Sequence, residues 1–557
     1  MSTTPGPFNA GQSIQQALAL HQQGRLDEAE KLYTRVLKTQ RNNFDALHLL
    51  GMLNHQRGKT GEAYRLLSAA IKLQPRSPDA LSNFALVLHA LKRSDEALAA
   101  LDKALAFMPG HLDALNNRGN LLLDLQRPAE AISAFDAVLD KEPRHLQARI
   151  NRGNARAALG ETELALSDYD AALTMAPGHP LALFNRGNAL RSVGREADAI
   201  AAYDGALAAL PNHVGAWTNR GLAQAALNRH ADALASYGRA LAIASDNADL
   251  HFNAALSLLT SGDYARGFAE YEWRWKRAGI APRKDLRKPL WLGETPLAGK
   301  SILLHAEQGL GDTLMLARYA PLLARSGAKV VLQVQPELKN LLSGLDGVTA
   351  IAALGQPLPP FDVHCPLVSL PLACKTDLSN VPADIPYLQA SPAQIETWRS
   401  RLEALPLPRV ALAWSGRATH VNDRNRSLTL AQLQPLLSLD AVSFISVQRE
   451  LRPADTELLS RQSGITHLGE ELTDFTDTAA VLALADLVIC VDTSVAHLAG
   501  ALGRPTWVML PFQPDWRWTL DREYSPWYPA IRLFRQSAIG DWISVIAQVC
   551  EELARLR

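Results

Sequence analysis

The sequence predicts two architectures in one chain: an all-α repeat superhelix, followed by an α/β domain built as two Rossmann-like lobes. Three observations carry this reading: a 34-residue period in the first half, its loss near residue 277, and short β-branched runs alternating with helical stretches from residue 301 onward. At 557 residues the chain is longer than one hydrophobic core organises, so more than one domain is expected.

The period is marked by Pro75, Pro109, Pro143, Pro177 and Pro211, spaced 34 residues apart, each placed to stop a helix. Gly51, Ala85, Gly119, Gly153, Gly187, Gly221 and Ala255 fall on the same period. Ala63, Ala97, Ala131, Ala165, Ala199 and Ala233 stand twelve residues after the first six of them. Four positions further on come Leu67, Leu101, Phe135, Tyr169, Tyr203 and Tyr237. Small residues let two helices approach closely, and the large ones fill the space between neighbouring pairs. The pattern resembles the tetratricopeptide repeat. Ala17, Ala29 and Tyr33 extend it backward, which gives seven repeats from residue 10 to 247. An eighth copy, with Gly267 in the alanine slot and the aromatic run YEWRWK, is expected to cap an array spanning residues 10–276.

Asn83, Asn117, Asn151, Asn185, Asn219 and Asn253 lie two residues before the small residues. An amide donates and accepts at once, so a row of them on a concave face would hold the backbone of an extended peptide. The alternative is that these amides cap neighbouring turns or face solvent. The same position carries asparagines in the O-linked N-acetylglucosamine transferases, which this half resembles, and there the row holds the acceptor protein.

After a linker at 277–300, strands are expected at SILLHAE, AKVVLQVQ and FDVHCPL, with a helix from Asp312, forming a first lobe over 301–390. A second lobe over 391–557 has strands at PRVALAWSG, VSFISVQ, DLVICVD and PTWVMLP. Helices are expected near 428–437, 475–484 and 493–502, with a last helix, 541–556, crossing back to brace the lobes. Two motifs are rejected. GETPLAGKS has one residue too many between its glycines for a phosphate loop, and it precedes a strand. QGLGDTLM has Leu314 where a dinucleotide fingerprint needs its third glycine.

Four stretches, HAEQGLGDT, AWSGRATHVNDRNRSL, VDTSVAHLAGALGRP, and PFQPDWRW with SPWYP, resemble the heptosyltransferase-like branch of the GT-B glycosyltransferases, in the form that bacteria fuse to tetratricopeptide repeats. The resemblance implies that Asp312, after Gly309 and Gly311 at a strand-to-helix turn, is the general base; a helix cap is the competing role. It also implies that Asp492, Thr493, Ser494 and His497 hold the phosphates of a nucleotide sugar at a helix N-terminus. Ser415 with Arg424 or Arg426 would lie beside those phosphates. Gln448 is placed at the base or ribose. The stretch from Asp515 to Trp518 lines the sugar pocket or packs between lobes.

The expected reaction is direct displacement with inversion, in which a Ser or Thr hydroxyl of a protein acceptor, flagellin by resemblance, attacks a nucleotide sugar. No metal or cofactor is expected, because no acidic D-x-D pair follows a strand of the nucleotide-binding lobe. Two alternatives stand beside it: a client-binding scaffold whose transferase-like half is inactive, and a transferase for a lipid-linked or polysaccharide acceptor. Lys plus Arg equals Asp plus Glu, 56 each, which argues against nucleic acid and anionic membranes as partners. No signal peptide or membrane span is read, and four scattered cysteines without a CxxC pair point to a reducing cytoplasm.

Overall fold

A computed structural model of the chain describes residues 9–280, 286–420, 422–440, 442–462 and 464–555. Part of the expected linker (281–285), Val421 of the arginine-bearing loop and the end of the last helix lie outside the described residues. The chain divides into two compact units, Met1–Ala216 and Trp217–Arg557.

The first unit is an all-helical tetratricopeptide array. Its helix pairs are α1 (Ala10–Gln22) with α2 (Leu26–Thr39), α3 (Phe44–Gln56) with α4 (Thr60–Leu73), α5 (Pro78–Ala90) with α6 (Ser94–Phe107), α7 (Leu112–Asp124) with α8 (Pro128–Lys141), α9 (Leu146–Ala158) with α10 (Thr162–Met175), and α11 (Pro180–Ser192) with α12 (Glu196–Ala209). Each odd-numbered helix starts at a residue whose side chain accepts an otherwise unpaired N–H: Asn9, Asn43, Ser77, His111, His145 and His179. The turn inside each pair has one left-handed residue, again on the 34-residue period: Gly24, Gly58, Lys92, Gln126, Gly160 and Gly194. Glycine takes that conformation without penalty, whereas Lys92 and Gln126 adopt it against the clash of their own Cβ.

The small-to-large pairing closes each seam. A Cβ on Gly119 would lie 2.4 Å from the Phe135 ring, and on Gly153 or Gly187 it would lie 2.6 Å from Tyr169 or Tyr203. Each odd-numbered helix packs on its own partner and on the odd-numbered helices before and after it, which makes those helices one continuous layer. These contacts predict opposite outcomes for two helical glycines. Alanine is favoured over glycine in a helix by about 1 kcal/mol. Gly61→Ala, which meets open space, is therefore expected to raise the melting temperature. Gly153→Ala is expected to lower it, because overpacking costs about 1–3 kcal/mol.

The second unit opens within α13 (Val214–Ala226) and continues with α14 (His230–Ile243), α15 (Ala248–Thr260) and α16 (Tyr264–Tyr271), followed by a 3-10 turn over Glu272–Lys276. Two parallel sheets follow. The first comprises β1 (Ser301–His305), α17 (Leu310–Leu316), α18 (Tyr319–Arg325), β2 (Lys329–Val334), α19 (Pro336–Leu342), β3 (Val348–Ala353) and β4 (Val363–Pro366), with strand order β3-β2-β1-β4. After α20 (Leu370–Ala373) and α21 (Pro392–Leu402) comes the second sheet. It contains β5 (Arg409–Ala413), α22 (Asp423–Arg426), α23 (Gln434–Leu437), β6 (Ser443–Ser446), α24 (Pro453–Ser460), β7 (Ile465–His467), α25 (Phe475–Leu484), β8 (Leu487–Val491), α26 (Ser494–Ala501), β9 (Thr506–Leu510), β10 (Ile531–Arg535) and α27 (Trp542–Arg555). Its order is β10-β9-β8-β5-β6-β7. Parallel strands buried on both faces are the mark of an α/β domain.

One apolar cluster runs from Leu259, Tyr264 and Phe268 of the last helix pair through Leu304 and Leu332 of the first sheet to Cys490 and Leu510 of the second. A second cluster covers the opposite face of the second sheet. Two expectations are corrected. Of the helix expected near 428–437, only Gln434–Leu437 is α-helical. The last helix does not cross back: α27 packs on α23 and β10, because Trp542, Val545, Ile546, Val549 and Leu553 bury their apolar stripe in the second sheet's own cluster. No helix among the described residues is long and apolar enough to cross a membrane.

Candidate functional site

In each sheet the chain leaves one strand toward one side and returns on the other. β1 lies between β2 and β4, and β5 lies between β6 and β8. Where strand order reverses, the loops at the carboxyl ends part and leave a crevice, the usual ligand position in open α/β sheets. The loops after β1, β5 and β8 carry almost every transferase residue singled out from sequence. α17, at the end of β1, packs directly on α26, at the end of β8. Gly311 permits this approach, since a Cβ there would lie 2.8 Å from His497 Cδ2 and 3.6 Å from Ser494 Cα.

Thr493 is the N-cap of α26 but makes no capping bond, and its Oγ1 is buried without a hydrogen-bond partner. Arg426 donates from Nη1 to the Asp492 carbonyl at 3.0 Å, while its Nε is buried without a partner. Its guanidinium lies flat against Gly416, where a Cβ would come 2.6 Å from Nη2. Arg424 is exposed, so of the two arginines Arg426 is the one brought to the strand end. Burial and the neighbouring Asp515 push the Asp492 carboxyl up to about 6, against the pull of Arg426 and Arg517. An unsatisfied hydroxyl, an unsatisfied guanidinium N–H and the first amides of α26 form a group of donors suited to an anion.

Asp312 has both oxygens engaged. Oδ2 accepts the Gly309 N–H at 2.9 Å, which is the capping role, and Oδ1 is ion-paired with Nη2 of Arg517. His497 is buried, stacks on Trp518 with ring centres 5.3 Å apart, and meets the Tyr528 hydroxyl through Nδ1 at 3.1 Å. Burial, with Arg517, Arg318 and Arg426 nearby, holds it well below the usual histidine range and hence neutral. Gln448 does not reach toward a ligand. Its Oε1 accepts the Trp414 and Ser415 N–H groups and its Nε2 donates to the Ser415 and Glu450 carbonyls, all at 3.0 Å. Three of the four bonds fix the backbone at Trp414 and Ser415, which makes Gln448 a brace for that loop. Trp516 and Trp518 serve packing: Trp516 meets Phe268 and Trp527 edge-on, while Asp515 holds the Arg517 guanidinium.

Arg517, read from sequence only as one of the residues that line the sugar pocket or pack between lobes, has an ion pairing that the sequence does not show. Only 10% exposed, it pairs with Asp312 from the first sheet and Asp515 from its own loop. Its partner Asp312 lies 205 positions away, a separation no local pattern reveals.

The asparagine row serves the array itself. Asn83 Nδ2 meets His48 Nε2 at 2.9 Å, Asn117 donates to Ser82 at 3.0 Å, Asn151 to Asn120 at 2.7 Å and Asn185 to Asn154 at 2.8 Å, each across one seam. A second amide row, Asn154 and Asn188, receives the Tyr169 and Tyr203 hydroxyls at 2.8 Å. The donors expected to grip a peptide are thus committed between repeats in these four. Asn219 and Asn253 sit half-buried on α13 and α15 in the second unit.

Comparison with known proteins finds repeats in the helical part of the chain, continuing into the second unit, and a transferase-like match in the α/β part. Tetratricopeptide repeat models match residues 116–180, 150–214, 184–248 and 218–279, and the model for anaphase-promoting complex subunit 3 matches 22–104. The model for glycosyltransferase family 9 (heptosyltransferase) matches residues 460–509, which contain β8, Asp492 to His497 and the start of β9. The chain is thus a tetratricopeptide-repeat protein with a heptosyltransferase-like region. It is similar to Protein FlbA of Caulobacter vibrioides, 27% identical over 347 residues, which are 55% of each chain. The chain therefore spans about half the length of that curated relative. Among solved structures, a tetratricopeptide repeat protein from Parabacteroides merdae is 19% identical with a TM-score of 0.38, covering 45% of this chain and 98% of its own. A thermophilic repeat protein from Thermus thermophilus is 25% identical with a TM-score of 0.29, covering 33% of this chain and 100% of its own.

Proposed function

We propose that the chain is a GT-B glycosyltransferase that moves a sugar from a nucleotide donor to a Ser or Thr hydroxyl of a protein, with inversion at the anomeric carbon. The carrying observation is the pair of unsatisfied donors, Thr493 Oγ1 and Arg426 Nε, beside the N-terminus of α26 at a topological switch point. As the bond from the anomeric carbon to the phosphate oxygen breaks, charge gathers on that oxygen. Fixed dipoles and guanidinium groups already aimed there stabilise it, and the reading assigns no metal to this task. The acceptor oxygen forms the new bond, and its proton passes to Asp312. Gly309 and Gly311 let the β1–α17 turn approach α26, while Ser415, held by Gln448, and Ser494 shape the phosphate side. His497 positions α26 as a packed neutral ring. A protein acceptor is supported by the repeat array. Of its asparagines, Asn83, Asn117 and Asn185 then offer carbonyl oxygens to peptide N–H groups, whereas the Asn151 oxygen accepts from Gln147 at 2.8 Å. Flagellin enters through the resemblance to repeat-bearing flagellin glycosyltransferases, and a cytoplasmic setting through cysteine usage.

Thermal denaturation with UDP-, GDP-, ADP- and CMP-linked sugars tests the reading. One class is expected to stabilise the wild type by about 3 kcal/mol at a hundredfold excess over its Kd. Arg426→Ala is expected to lose most of that shift. No shift with any of the four classes would contradict a nucleotide-sugar site.

A further inference from the structure

Asp312 and Arg517 face each other across the two sheets, and each blocks what the other would do in transfer. With Oδ2 capping Gly309 and Oδ1 held by Arg517, the carboxylate has no oxygen directed at an acceptor. With its guanidinium on Asp312 and Asp515, Arg517 has little capacity left for a phosphate, although it lies close enough to act on Asp492 and His497. Its backbone is anchored where Asp515 Oδ1 accepts the Arg517 N–H at 3.1 Å, and the guanidinium lies 4.3 Å over the Trp516 ring. The anchor fixes the base of a long side chain, so that rotation about its outer bonds alone would carry the tip from one anion to another.

We propose that Arg517 is an exchangeable positioning residue: in the free protein it latches Asp312, and on donor binding it transfers to the diphosphate and releases Asp312 to meet the acceptor hydroxyl. The inference rests on reading the crevice as a nucleotide-sugar site, and it deepens that reading by coupling the two substrates in order. A diphosphate accepts a guanidinium through two parallel hydrogen bonds, as a carboxylate does, but with greater charge. Thr493 and Arg426 supply the remaining contacts, so Arg517 would leave Asp312 only when a phosphate is already seated. The acceptor then meets a competent base only on the donor-loaded protein.

A latch makes an unusual prediction, because removing the carboxylate should strengthen phosphate binding. Asparagine at 312 still caps Gly309 through its carbonyl oxygen but no longer competes for Arg517 as an anion. The probes are inorganic pyrophosphate, UDP, GDP and ADP, titrated calorimetrically into the full chain. For at least one of them, Asp312→Asn is expected to bind about tenfold tighter than wild type, the size of effect seen between directly coupled residues. Arg517→Ala is expected to bind at least tenfold weaker than wild type, and Asp312→Asn combined with Arg517→Ala to bind like Arg517→Ala alone. If Arg517→Ala does not fold, Arg517→Lys, whose compact ammonium cannot form the two parallel bonds, takes its place in the cycle. Unchanged or weaker binding by Asp312→Asn, or effects that simply add, would overturn the latch while leaving the nucleotide site standing. Binding by neither wild type nor Asp312→Asn to any probe would remove the nucleotide site and the latch together.

Discussion

Asp312→Asn is expected to lower sugar transfer by about 10²- to 10⁴-fold, the contribution of a well-placed general base. Two roles meet in this residue, and the substitution separates them. The Gly309 N–H needs an acceptor oxygen, which the asparagine amide supplies, so the β1–α17 turn keeps its start. The amide takes up no proton. Loss of rate with an unchanged melting temperature would assign Asp312 to the chemistry, and a shared fall in both would assign it to the structural ion pair with Arg517. In steady-state assays the donor KM is expected to fall with kcat, since Arg517 is then free for the phosphate. Transfer within twofold of wild type would end the proposal that Asp312 accepts the proton.

The second large effect concerns pH. Glu307, at the end of β1, is 8% exposed; its Oε1 accepts Arg274 Nη2 at 2.8 Å and its Oε2 is buried without a partner. Burial pushes its carboxyl up to about 7 from an ordinary 4.5, even against the attraction of Arg274. A carboxyl that holds its proton more tightly when folded stabilises the fold at low pH. That stability is lost as pH rises from about 4.5 to about 7, by about 3 kcal/mol in all. Glu307→Gln, which cannot ionise, is expected to flatten the fall in melting temperature across this window. The slope that remains combines the raised Asp492 carboxyl, which acts in the same sense, with buried histidines such as His497 held below their ordinary range, which act in the opposite sense. Parallel wild-type and Glu307→Gln curves would show that Glu307 keeps its charge when folded.

The array was legible in the sequence because each seam depends on a fixed alternation of bulk. Gly153 against Tyr169 and Gly187 against Tyr203 are written at constant spacing, and nothing distant modifies them. In the α/β part, the strands flanked on both sides were all anticipated. The three missed, β3, β7 and β10, are edge strands. β3 and β7 are only partly covered, and β7 has three residues, so neither shows the continuous apolar run of an inner strand. The polar site residues were found as types at loop positions, but their engagements depend on folds of the chain that no window sees. Gln448 was legible as a polar group after β6 but not as the brace of Ser415, 33 residues away. The Arg517 partnership spans the two sheets, and only the turn of the chain brings it together.

Each inner odd-numbered helix of the first unit meets the helices directly before and after it and the odd-numbered helices on either side, and the helix pairs recur on one 34-residue template. Excising a complete 34-residue module would therefore bring together two surfaces already shaped for each other, and duplicating one would do the same. The number of modules can drift over generations without any new interface having to be invented. Under the proposed role, the choice of acceptor could evolve by adding or dropping whole cassettes.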